Sequence, residues 1–304
     1  MGLGYVGLPL VIALAEAGIE VVAVDTDVSK VEALRRGESY IADAPASALR
    51  AVDDRIEATT QYSALMDVEA ILLCVPTPLT PNREPDLSAL VGAAAGVAEV
   101  LQAGQLVVLE STSYPGTTRD RLVPILEESG MKAGCDFHVA FSPERIDPGR
   151  TDHTLRTTPK VVGGLTEAGG ARAEELYGRI CDEIVRVGSP EAAEMTKLLE
   201  NIFRSVNIAL VNELSILCDR MEIDIWEVVD AAATKPYITT RTSRTCLSSG
   251  SAARARARAG AGRTRRDPHR PPRYRPCGDR RTRCAAARLS RRRAARRGRA
   301  GRAT

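Results

Sequence analysis

The stretch MGLGYVGLPLVIALAEAGIEVVAVD, residues 1–25, decides the fold class of this chain. Its glycines Gly2, Gly4 and Gly7 follow the spacing G-x-G-x-x-G, and an apolar segment of helical character comes after them. A second apolar segment, residues 20–25, has the composition of a buried strand and ends in an acid. A glycine-rich turn that opens a helix and precedes an acid-ended strand is typical of a dinucleotide-binding βαβ unit.

Each glycine of this turn has a mechanical role in such a unit. Gly2 permits the tight turn, Gly4 lets the backbone approach a pyrophosphate, and Gly7 lets the helix pack closely on the sheet. Asp25 follows at the roughly 20-residue distance of a ribose-binding acid, where its carboxylate can accept both ribose hydroxyls of NAD. A 2′-phosphate would be repelled there, so the sequence predicts NAD rather than NADP. A generic tight turn is the alternative for the glycines taken alone.

Strand-like and helical segments alternate along residues 1–188, which predicts an α/β fold with a doubly wound, Rossmann-type parallel sheet. Such a glycine turn normally follows a buried strand, yet Met1 stands directly before Gly2. We therefore expect the first strand to be missing and the natural start to lie upstream. Further strands are predicted at residues 68–75, 105–110, 137–141 and 160–163, and helices at residues 8–17, 30–34, 87–103 and 118–129.

Residues 189–237 are predicted to form a separate central helical region. Apolar residues spaced by three and four indicate one long helix from Pro190 to about Met221, and a second helix follows the N-cap residue Asp224. The long helix also has a polar stripe, in which a cation beside an amide suits an oxyanion or alkoxide. A solvated polar face is the alternative. The stripe consists of Glu194, Lys197, Asn201 and Arg204.

A sharp change in composition after residue 237 divides the chain. Residues 1–237 carry a formal charge of −17, whereas residues 238–304 carry +20 from 22 arginines and contain neither lysine nor glutamate. With little to bury, residues 238–304 are predicted to be a disordered Arg/Ala-rich tail. Arginine, alanine, glycine and proline all have GC-rich codons, so a frameshift near codon 237 is the favoured origin. A genuine basic tail that binds nucleic acid is the alternative.

Other features of the sequence limit the classes of protein to which the chain can belong. No run of about 18 apolar residues appears and no signal-peptide pattern precedes the fold, so we expect a cytoplasmic protein without a membrane partner. The seven cysteines form no CxxC pair and no regular framework. This pattern argues against a structural metal or a disulfide scaffold and fits a reducing compartment.

Five further motifs occur in order within residues 1–237: Pro76-Thr77-Pro78, Arg83-Glu84-Pro85-Asp86-Leu87, Glu110-Ser111-Thr112, Tyr114-Pro115-Gly116-Thr117-Thr118 and Phe141-Ser142-Pro143-Glu144-Arg145. Together they resemble the motifs of the UDP-glucose/GDP-mannose dehydrogenase family. The form Ser-Pro-Glu-Arg looks most like the branch of that family that oxidises UDP-N-acetylhexosamines.

The resemblance implies an NAD-dependent enzyme that oxidises the C6 alcohol of a UDP-N-acetylhexosamine to the uronate in two steps, for cell-surface polysaccharide synthesis. It also implies a homodimer of the intact enzyme, with the long helix as the dimer-forming element. The positions that it assigns to cofactor binding are Gly2, Gly4, Tyr5, Val6, Gly7, Asp25, Lys30, Thr77 and Thr112.

The same resemblance implies catalytic roles for four residues. Thr112 and Glu144 match residues that position or activate water for thioester hydrolysis. Lys197 matches a lysine that stabilises negative charge on the C6 oxygen, and Asn201 sits beside it. Without the resemblance, Thr112 could be a helix N-cap and Glu144 a surface acid. The positions matched to nucleotide-sugar contacts are Arg145, Ile146, Lys197, Asn201 and Arg204.

The family's second oxidation requires a cysteine thiolate that attacks the C6 aldehyde. In the family this cysteine lies in a Gly-Gly-His-Cys segment downstream of an Ala-Ala-Ala-Thr-Lys-Pro motif. The motif is present at residues 231–236, but residues 238–304 contain no such cysteine segment. Cys74 lies in a predicted buried strand, where a cysteine is by default a small core hydrophobe. We therefore expect this chain to be inactive in the two-step oxidation.

Three other interpretations stay open on the sequence alone. One is a dehydrogenase of the same family that acts on UDP-glucose. Another is a 6-phosphogluconate-type or 3-hydroxyacid dehydrogenase, which needs no cysteine, although the Pro-Thr-Pro and Ser-Pro-Glu-Arg motifs argue against it. The third is a non-enzymatic, basic-tailed protein that binds nucleic acid and uses the dinucleotide-binding body as a scaffold.

Overall fold

The computed structural model describes residues 1–82, 84–145 and 154–235. All of them belong to one compact unit, Met1–Ser248. The predicted fold class is confirmed, because strands alternate with helices and the chain then continues into a long helix. The predictions for Ile146 and for the tail at residues 238–304 lie outside the described residues.

The strands of the described residues form two sheets. β1 pairs with β2 in one sheet, and the other sheet has the order β3-β4-β5-β6-β7. All neighbouring strands are parallel except β5 and β6. The strands are β1 (Val21–Val24), β2 (Ile56–Thr59), β3 (Ala70–Leu73), β4 (Leu106–Leu109), β5 (His138–Phe141), β6 (Lys160–Gly164) and β7 (Ile184–Val187).

Four helices of the described residues begin after a side chain that satisfies a backbone N–H group of the first turn. The side chains of Asp27, Thr166, Ser189 and Asp224 each accept a hydrogen bond from the first turn of the helix that follows. The helices are α1 (Gly7–Glu16), α2 (Val28–Arg35), α3 (Ala46–Arg50), α4 (Ser88–Ala98), α5 (Val123–Leu126), α6 (Glu167–Tyr177), α7 (Pro190–Arg220) and α8 (Ile225–Ala232).

Most predicted elements are present, and one of them differs in form for a local reason. The helix predicted at residues 118–129 is a π-helical turn, Thr118–Leu122, that leads into α5 and then into a 3-10 turn, Glu127–Ser129. Pro124 interrupts regular α-helical bonding because it has no N–H to donate. The elements that the sequence analysis does not predict are α3, β2, β7 and α6.

One strand runs against the predicted parallel arrangement. β6 pairs antiparallel with β5 through Ala140 with Gly164 and Phe141 with Gly163. An antiparallel neighbour requires no crossover helix between the two strands. The sheet is therefore mixed rather than wholly parallel.

The core is mainly aliphatic, as the low aromatic content predicts, although Phe137, Phe141 and Tyr177 are fully buried. β4 lies in the interior of the five-stranded sheet, and all four of its residues are buried. Its side chains pack on both faces, which is why the strand reads as an unbroken apolar run.

The long helix α7 leaves one apolar face uncovered. Its apolar residues include Leu199, Ile202, Val206 and Leu210, each about half exposed or more. Among the described residues, no helix combines the length and apolarity that a membrane crossing requires.

Candidate functional site

A cleft of about 1060 Å³ lies at the carboxyl ends of the strands. Its walls come from the turn before α1, from the loops after β1, β3, β4 and β5, and from the polar face of α7. In doubly wound sheets, ligands bind outside the carboxyl ends of the strands. The cleft therefore occupies the position that the fold reserves for a ligand.

The glycine turn forms one wall of the cleft, and its glycines differ in their surroundings. Gly2 has a φ of 85°, and a Cβ there would lie 2.6 Å from the carbonyl oxygen of Cys74. A Cβ on Gly7 would lie 1.8 Å from the carbonyl oxygen of Gly2. A Cβ on Gly4 would meet no atom within 4 Å. Gly2 and Gly7 therefore allow close backbone packing, whereas Gly4 faces open space.

Asp25 follows β1 and is only 8% exposed. Its carboxylate accepts hydrogen bonds from the backbone N–H of Leu3 at 2.7 Å and of Asp27 at 2.9 Å. The ammonium of Lys30 lies 3.1 Å from the same carboxylate. The acid is therefore fixed in place beside the glycine turn, and Lys30 is held at the cleft through it.

The loops after β3 and β4 are tied to each other. The Thr77 hydroxyl donates to the backbone carbonyl of Thr112 at 2.7 Å. The Ser111 hydroxyl donates to the backbone carbonyl of Val75 at 2.7 Å. These bonds hold Thr77 and Thr112 side by side on the cleft wall.

The polar face of α7 closes the opposite side of the cleft. Lys197 is buried, and its ammonium donates to the backbone carbonyl of Glu144 in the loop after β5. The Arg204 guanidinium donates to the side-chain oxygen of Asn201 at 2.7 Å. Lys197, Asn201 and Arg204 line the cleft. Glu144 also lines it, so these three residues of the predicted stripe face the loop after β5 across the cleft.

The structure brings together most of the predicted site residues but not all of them. Arg145 points away from the cleft, where its guanidinium pairs with Glu200 at 2.6 Å and donates to the carbonyl of Pro159 at 2.6 Å. Gly7 lies beneath the turn, and Ile146 lies outside the described residues. Those that line the cleft are Gly2, Gly4, Tyr5, Val6, Asp25, Lys30, Thr77, Thr112, Glu144, Lys197, Asn201 and Arg204.

Glu194, the first member of the predicted stripe, has a different environment. It is fully buried, and its carboxylate accepts from the backbone N–H of Gly116 at 2.6 Å and of Thr118 at 2.8 Å. The Thr118 hydroxyl also donates to it at 2.7 Å. Burial raises the pKa of this carboxyl against the opposing effect of these donors. Glu194 thus anchors the loop after β4 to α7.

A buried ionic cluster lies under the cleft and was not predicted. The ammonium of Lys160 lies 2.7 Å from the Glu110 carboxylate, and the Tyr177 hydroxyl donates to the same carboxylate. The Lys160 ammonium also lies 5.0 Å from the centre of the Tyr177 ring. The signal in the sequence was a charged residue at the end of an otherwise apolar strand, which occurs at both Glu110 and Lys160.

Electrostatics in this cluster follow from burial and from proximity. Burial raises the pKa of Glu110 and of Tyr177, because the charged forms lose their hydration. Burial also disfavours the charged form of Lys160, but the carboxylates of Glu110 and Glu144 outweigh it and raise its pKa. Lys160 therefore stays protonated at neutral pH beneath the cleft.

Cys74 is the cysteine that lines the cleft among the described residues. It is buried, and burial together with the Glu110 carboxylate raises the pKa of its thiol to about 12. A thiol with such a pKa is protonated at neutral pH and is a poor nucleophile.

The cleft fits a dinucleotide by its own geometry. The backbone at Gly4 is open on the cleft side, the N-terminus of α1 adjoins it, and the fixed carboxylate of Asp25 lies nearby. Backbone N–H groups at a helix N-terminus attract phosphate, and a carboxylate accepts ribose hydroxyls. The described residues contain no group of three or more His, Cys, Asp or Glu that could hold a metal ion.

Two sequence profiles of one family match the chain. The UDP-glucose/GDP-mannose dehydrogenase family, NAD binding domain, matches residues 1–181, and the central domain of the same family matches residues 191–255. The second match ends beyond the change in composition at residue 237.

Individual relatives match over the same part of the chain. The UDP-N-acetyl-D-glucosamine 6-dehydrogenase of Pseudomonas aeruginosa is 37% identical over 241 residues, which cover 77% of this chain and 56% of that protein. The UDP-N-acetyl-D-mannosamine dehydrogenase of Pyrococcus horikoshii is 36% identical over 247 residues, which cover 80% of this chain and 58% of that protein.

A solved structure of a GDP-mannose dehydrogenase from Pseudomonas aeruginosa, a ternary complex, superimposes with a TM-score of 0.73 at 29% identity. The match covers 78% of this chain and 56% of that one. This chain thus spans little more than half the length of the relatives that it matches.

Proposed function

Because this chain belongs to the UDP-glucose/GDP-mannose dehydrogenase family, and residues 1–181 match its NAD-binding domain, we propose that the cleft binds NAD together with the sugar end of a UDP-N-acetylhexosamine. The proposal depends on one observation, that two walls of the cleft with different functional groups face the same space. The glycine turn and Asp25 lie on one side, and Lys197 and Asn201 of α7 lie on the other.

On this proposal, Lys197 acts on the C6 oxygen of the sugar. Its ammonium is already directed at the loop after β5, where it donates to the Glu144 carbonyl. A cation held by a buried side chain stabilises an alkoxide as it develops, more strongly than an exposed cation would. Asn201 lies one helical turn further along and offers an amide to the same oxygen.

Thr112 and Glu144 complete the proposed chemistry at the ends of β4 and β5. Both line the cleft, and the bond from Thr77 to the Thr112 carbonyl orders this part of the wall. We assign them the positioning of a water molecule, with the Glu144 carboxylate as its proton acceptor. Bound NAD supplies the hydride acceptor.

We further propose that this chain does not complete the two-step oxidation. The second step needs a thiolate, and the thiol of Cys74 has a pKa of about 12. The other described cysteines, Cys135, Cys181 and Cys218, do not line the cleft. Residues 238–304 contain no Gly-Gly-His-Cys segment, and a frameshift near codon 237 is our explanation.

Binding of NADH, measured by its fluorescence, tests the cleft without requiring turnover. We expect Gly4→Val to abolish binding, because the new side chain fills the open space over the turn without a clash. Gly188→Val is the matched control, since a Cβ there also meets nothing within 4 Å and the residue does not line the cleft. Equal NADH binding by both folded variants would refute this cofactor site.

Turnover is tested separately with UDP-N-acetylglucosamine, with UDP-glucose as the comparison substrate. We expect no sustained NADH production from either sugar by the purified chain. Robust turnover would refute the proposed inactivity, and the faster sugar would then identify the substrate. Sequencing the gene completes the test, because a shifted frame near codon 237 should encode Gly-Gly-His-Cys.

The exposed apolar face of α7 supports a homodimer of the intact enzyme. A face of this kind on a helix is usually covered by another protein surface. Light scattering of the chain and of Leu210→Glu tests the idea, since the charge should shift a dimer towards monomer.

We place the enzyme in the cytoplasm, because its cysteines form no disulfide framework and the cytoplasm keeps thiols reduced. We expect no nucleic-acid partner.

A further inference from the structure

The side chain of Asn201 lies between two cationic side chains on the polar face of α7. Lys197 precedes it by four residues and Arg204 follows it by three, so both can reach it along the same face. All three residues line the cleft. Ammonium and guanidinium groups have only N–H donors, whereas an asparagine side chain has an oxygen on one side and an NH₂ group on the other. The orientation of the amide therefore decides whether Asn201 offers the cleft a donor or an acceptor.

The contact with Arg204 fixes that orientation. The Arg204 guanidinium donates through Nη2 to Oδ1 of Asn201 at 2.7 Å. A guanidinium has no acceptor, so the reversed amide would place N–H groups against N–H groups, and the pair permits one orientation only. The oxygen of the Asn201 amide is thereby occupied, and its NH₂ group is left to donate into the cleft.

A second ion pair holds the acid that competes for Arg204. Glu200 precedes Arg204 by four residues on α7, a spacing at which an acid and an arginine normally pair. Arg145, in the loop after β5, contacts this acid instead, with Nε and Nη2 at 2.9 Å and 2.6 Å from Oε1 of Glu200. Its Nη1 also donates to the Pro159 carbonyl at 2.6 Å. Because a carboxylate binds a guanidinium more strongly than an amide oxygen does, the pair of Arg145 with Glu200 leaves Arg204 to Asn201.

We propose that Arg204 is a positioning residue that turns the NH₂ group of Asn201 into the cleft. Arg145 supports this role from outside the cleft, by holding Glu200. The inference rests on the proposed function, in which Asn201 acts on the C6 oxygen of the sugar. Asn201 then presents an N–H to that oxygen beside the ammonium of Lys197, and both donors stabilise negative charge there.

The side-chain amide signals of asparagine measure the contact directly by NMR. The sequence has four asparagines, so protein labelled with ¹⁵N in these side chains gives four NH₂ signals, and the one lost in Asn201→Asp belongs to Asn201. A cation that donates to the amide oxygen draws electrons from the amide nitrogen, so Arg204→Ala should shift the Asn201 ¹⁵N signal upfield. Arg204→Lys keeps a cationic donor and should recover part of the shift. An unchanged Asn201 signal in Arg204→Ala would overturn the proposal.

A double variant distinguishes the role of Arg145 from a general effect on its loop. Arg145→Ala releases Glu200, and the freed carboxylate should then pair with Arg204. The Asn201 signal should shift as it does in Arg204→Ala. Adding Glu200→Gln to Arg145→Ala removes the competing charge, so the signal should return to the parent position. Absence of a shift in Arg145→Ala, or a shift that Glu200→Gln does not reverse, would overturn the role given to Arg145.

Binding of the sugar tests the consequence for the cleft. UDP-N-acetylglucosamine is titrated by calorimetry into the parent chain and the variants, each with NADH bound. We expect Arg145→Ala to bind the sugar about fivefold more weakly, the factor for one hydrogen bond, and Glu200→Gln in the same chain to restore the affinity. Asn201→Asp keeps an acceptor for Arg204 but has no N–H to donate, so it should lose at least as much.

The two measurements separate this inference from the proposed function. If the amide signals change as expected while every variant binds the sugar like the parent chain, the orientation of Asn201 does not serve the sugar and the positioning role is overturned. If the parent chain binds NADH but no UDP-N-acetylglucosamine, the sugar end of the proposed function fails. The contact between Arg204 and Asn201 then still stands or falls on the amide signals.

Discussion

The ammonium of Lys160 lies 2.7 Å from the carboxylate of Glu110 under the floor of the cleft, and at most 3% of either side chain is exposed. Lys160 begins β6 and Glu110 follows β4, so this pair links two strands that are not neighbours in the sheet. The pair therefore bears on both the stability of the sheet and the shape of the cleft floor.

Removing one partner of this pair should strongly destabilise the protein. Lys160→Met leaves the Glu110 carboxylate buried without its cation, and we expect a loss of about 3–5 kcal/mol in the free energy of unfolding. Urea denaturation measures it. The double variant Lys160→Met with Glu110→Leu should recover much of the loss, because no uncompensated charge is left.

The matched control is an exposed ion pair. Arg156 and Asp182 lie 3.0 Å apart with side chains that are mostly exposed. Arg156→Ala should change the stability by less than about 1 kcal/mol. If Arg156→Ala and Lys160→Met lowered the free energy of unfolding equally, burial would not be the reason for the large loss expected at Lys160.

Two glycines of the same motif should respond differently to alanine. A Cβ on Gly7 would lie 1.8 Å from a backbone oxygen, so Gly7→Ala should destabilise the protein by about 1–3 kcal/mol. A Cβ on Gly4 meets nothing within 4 Å, so Gly4→Ala should stay within about 0.5 kcal/mol of the parent. Thermal unfolding followed by circular dichroism compares them, and a larger loss for Gly4→Ala would contradict this geometry.

His138 should make stability depend on pH. Burial, and then the positive charge of Arg172, lower the pKa of its imidazole below the usual 6.5. A lowered folded-state pKa means that the contribution of His138 to stability is present above pH 6.5 and is lost as the pH falls through the folded-state value. Wild type should therefore lose stability relative to His138→Gln between pH 7.5 and pH 5.

NMR titration provides a direct measurement of that pKa. The sequence has three histidines, so the His138 signal is assigned by its loss in His138→Gln. A pKa at or above 6.5 for this imidazole, or parallel stability curves for the two proteins, would rule out the predicted effect.

Asp25 should control the choice between the two nicotinamide cofactors. Asp25→Asn removes the charge that repels a 2′-phosphate and weakens the acceptor for the ribose hydroxyls. We expect NADH affinity to fall at least tenfold and the preference over NADPH to shrink, since hydrogen bonds to charged groups contribute about 1.5–3 kcal/mol. NADH and NADPH fluorescence titrations give both affinities.

Asp53→Asn serves as the control for this change, because Asp53 is exposed and does not line the cleft. It removes the same charge and should leave both affinities unchanged. An undiminished preference for NADH in Asp25→Asn would show that another group selects the cofactor.

Much of the fold could be predicted because local sequence encodes it. The unbroken apolar run of β4, the glycine turn with α1, and the long periodic pattern of α7 each determine their own element. The direction of β6 and the presence of β7 and α6 were missed, because their short or polar sequences acquire their structure from packing on neighbours.

The candidate site could be predicted in part for a similar reason. Lys197, Asn201 and Arg204 share a face through helical spacing alone, and Asp25 is placed by its distance from the glycine turn. The orientation of Arg145 towards Glu200 and the anchoring role of Glu194 depend on contacts between residues far apart in the chain. The spacing of residues within one helix or strand cannot predict such contacts.

The sequence by itself determined the cofactor-binding βαβ pattern, the preference for NAD and the family, because glycine spacing, a strand-ending acid and ordered motifs are local properties of the chain. The family match bears out the cofactor and the family. Only the tertiary structure decided that Lys197 reaches the Glu144 loop and that Lys160 and Glu110 meet under the cleft. Each of these follows from packing among distant segments, where burial and pairing of charge, rather than local preference, determine which groups meet.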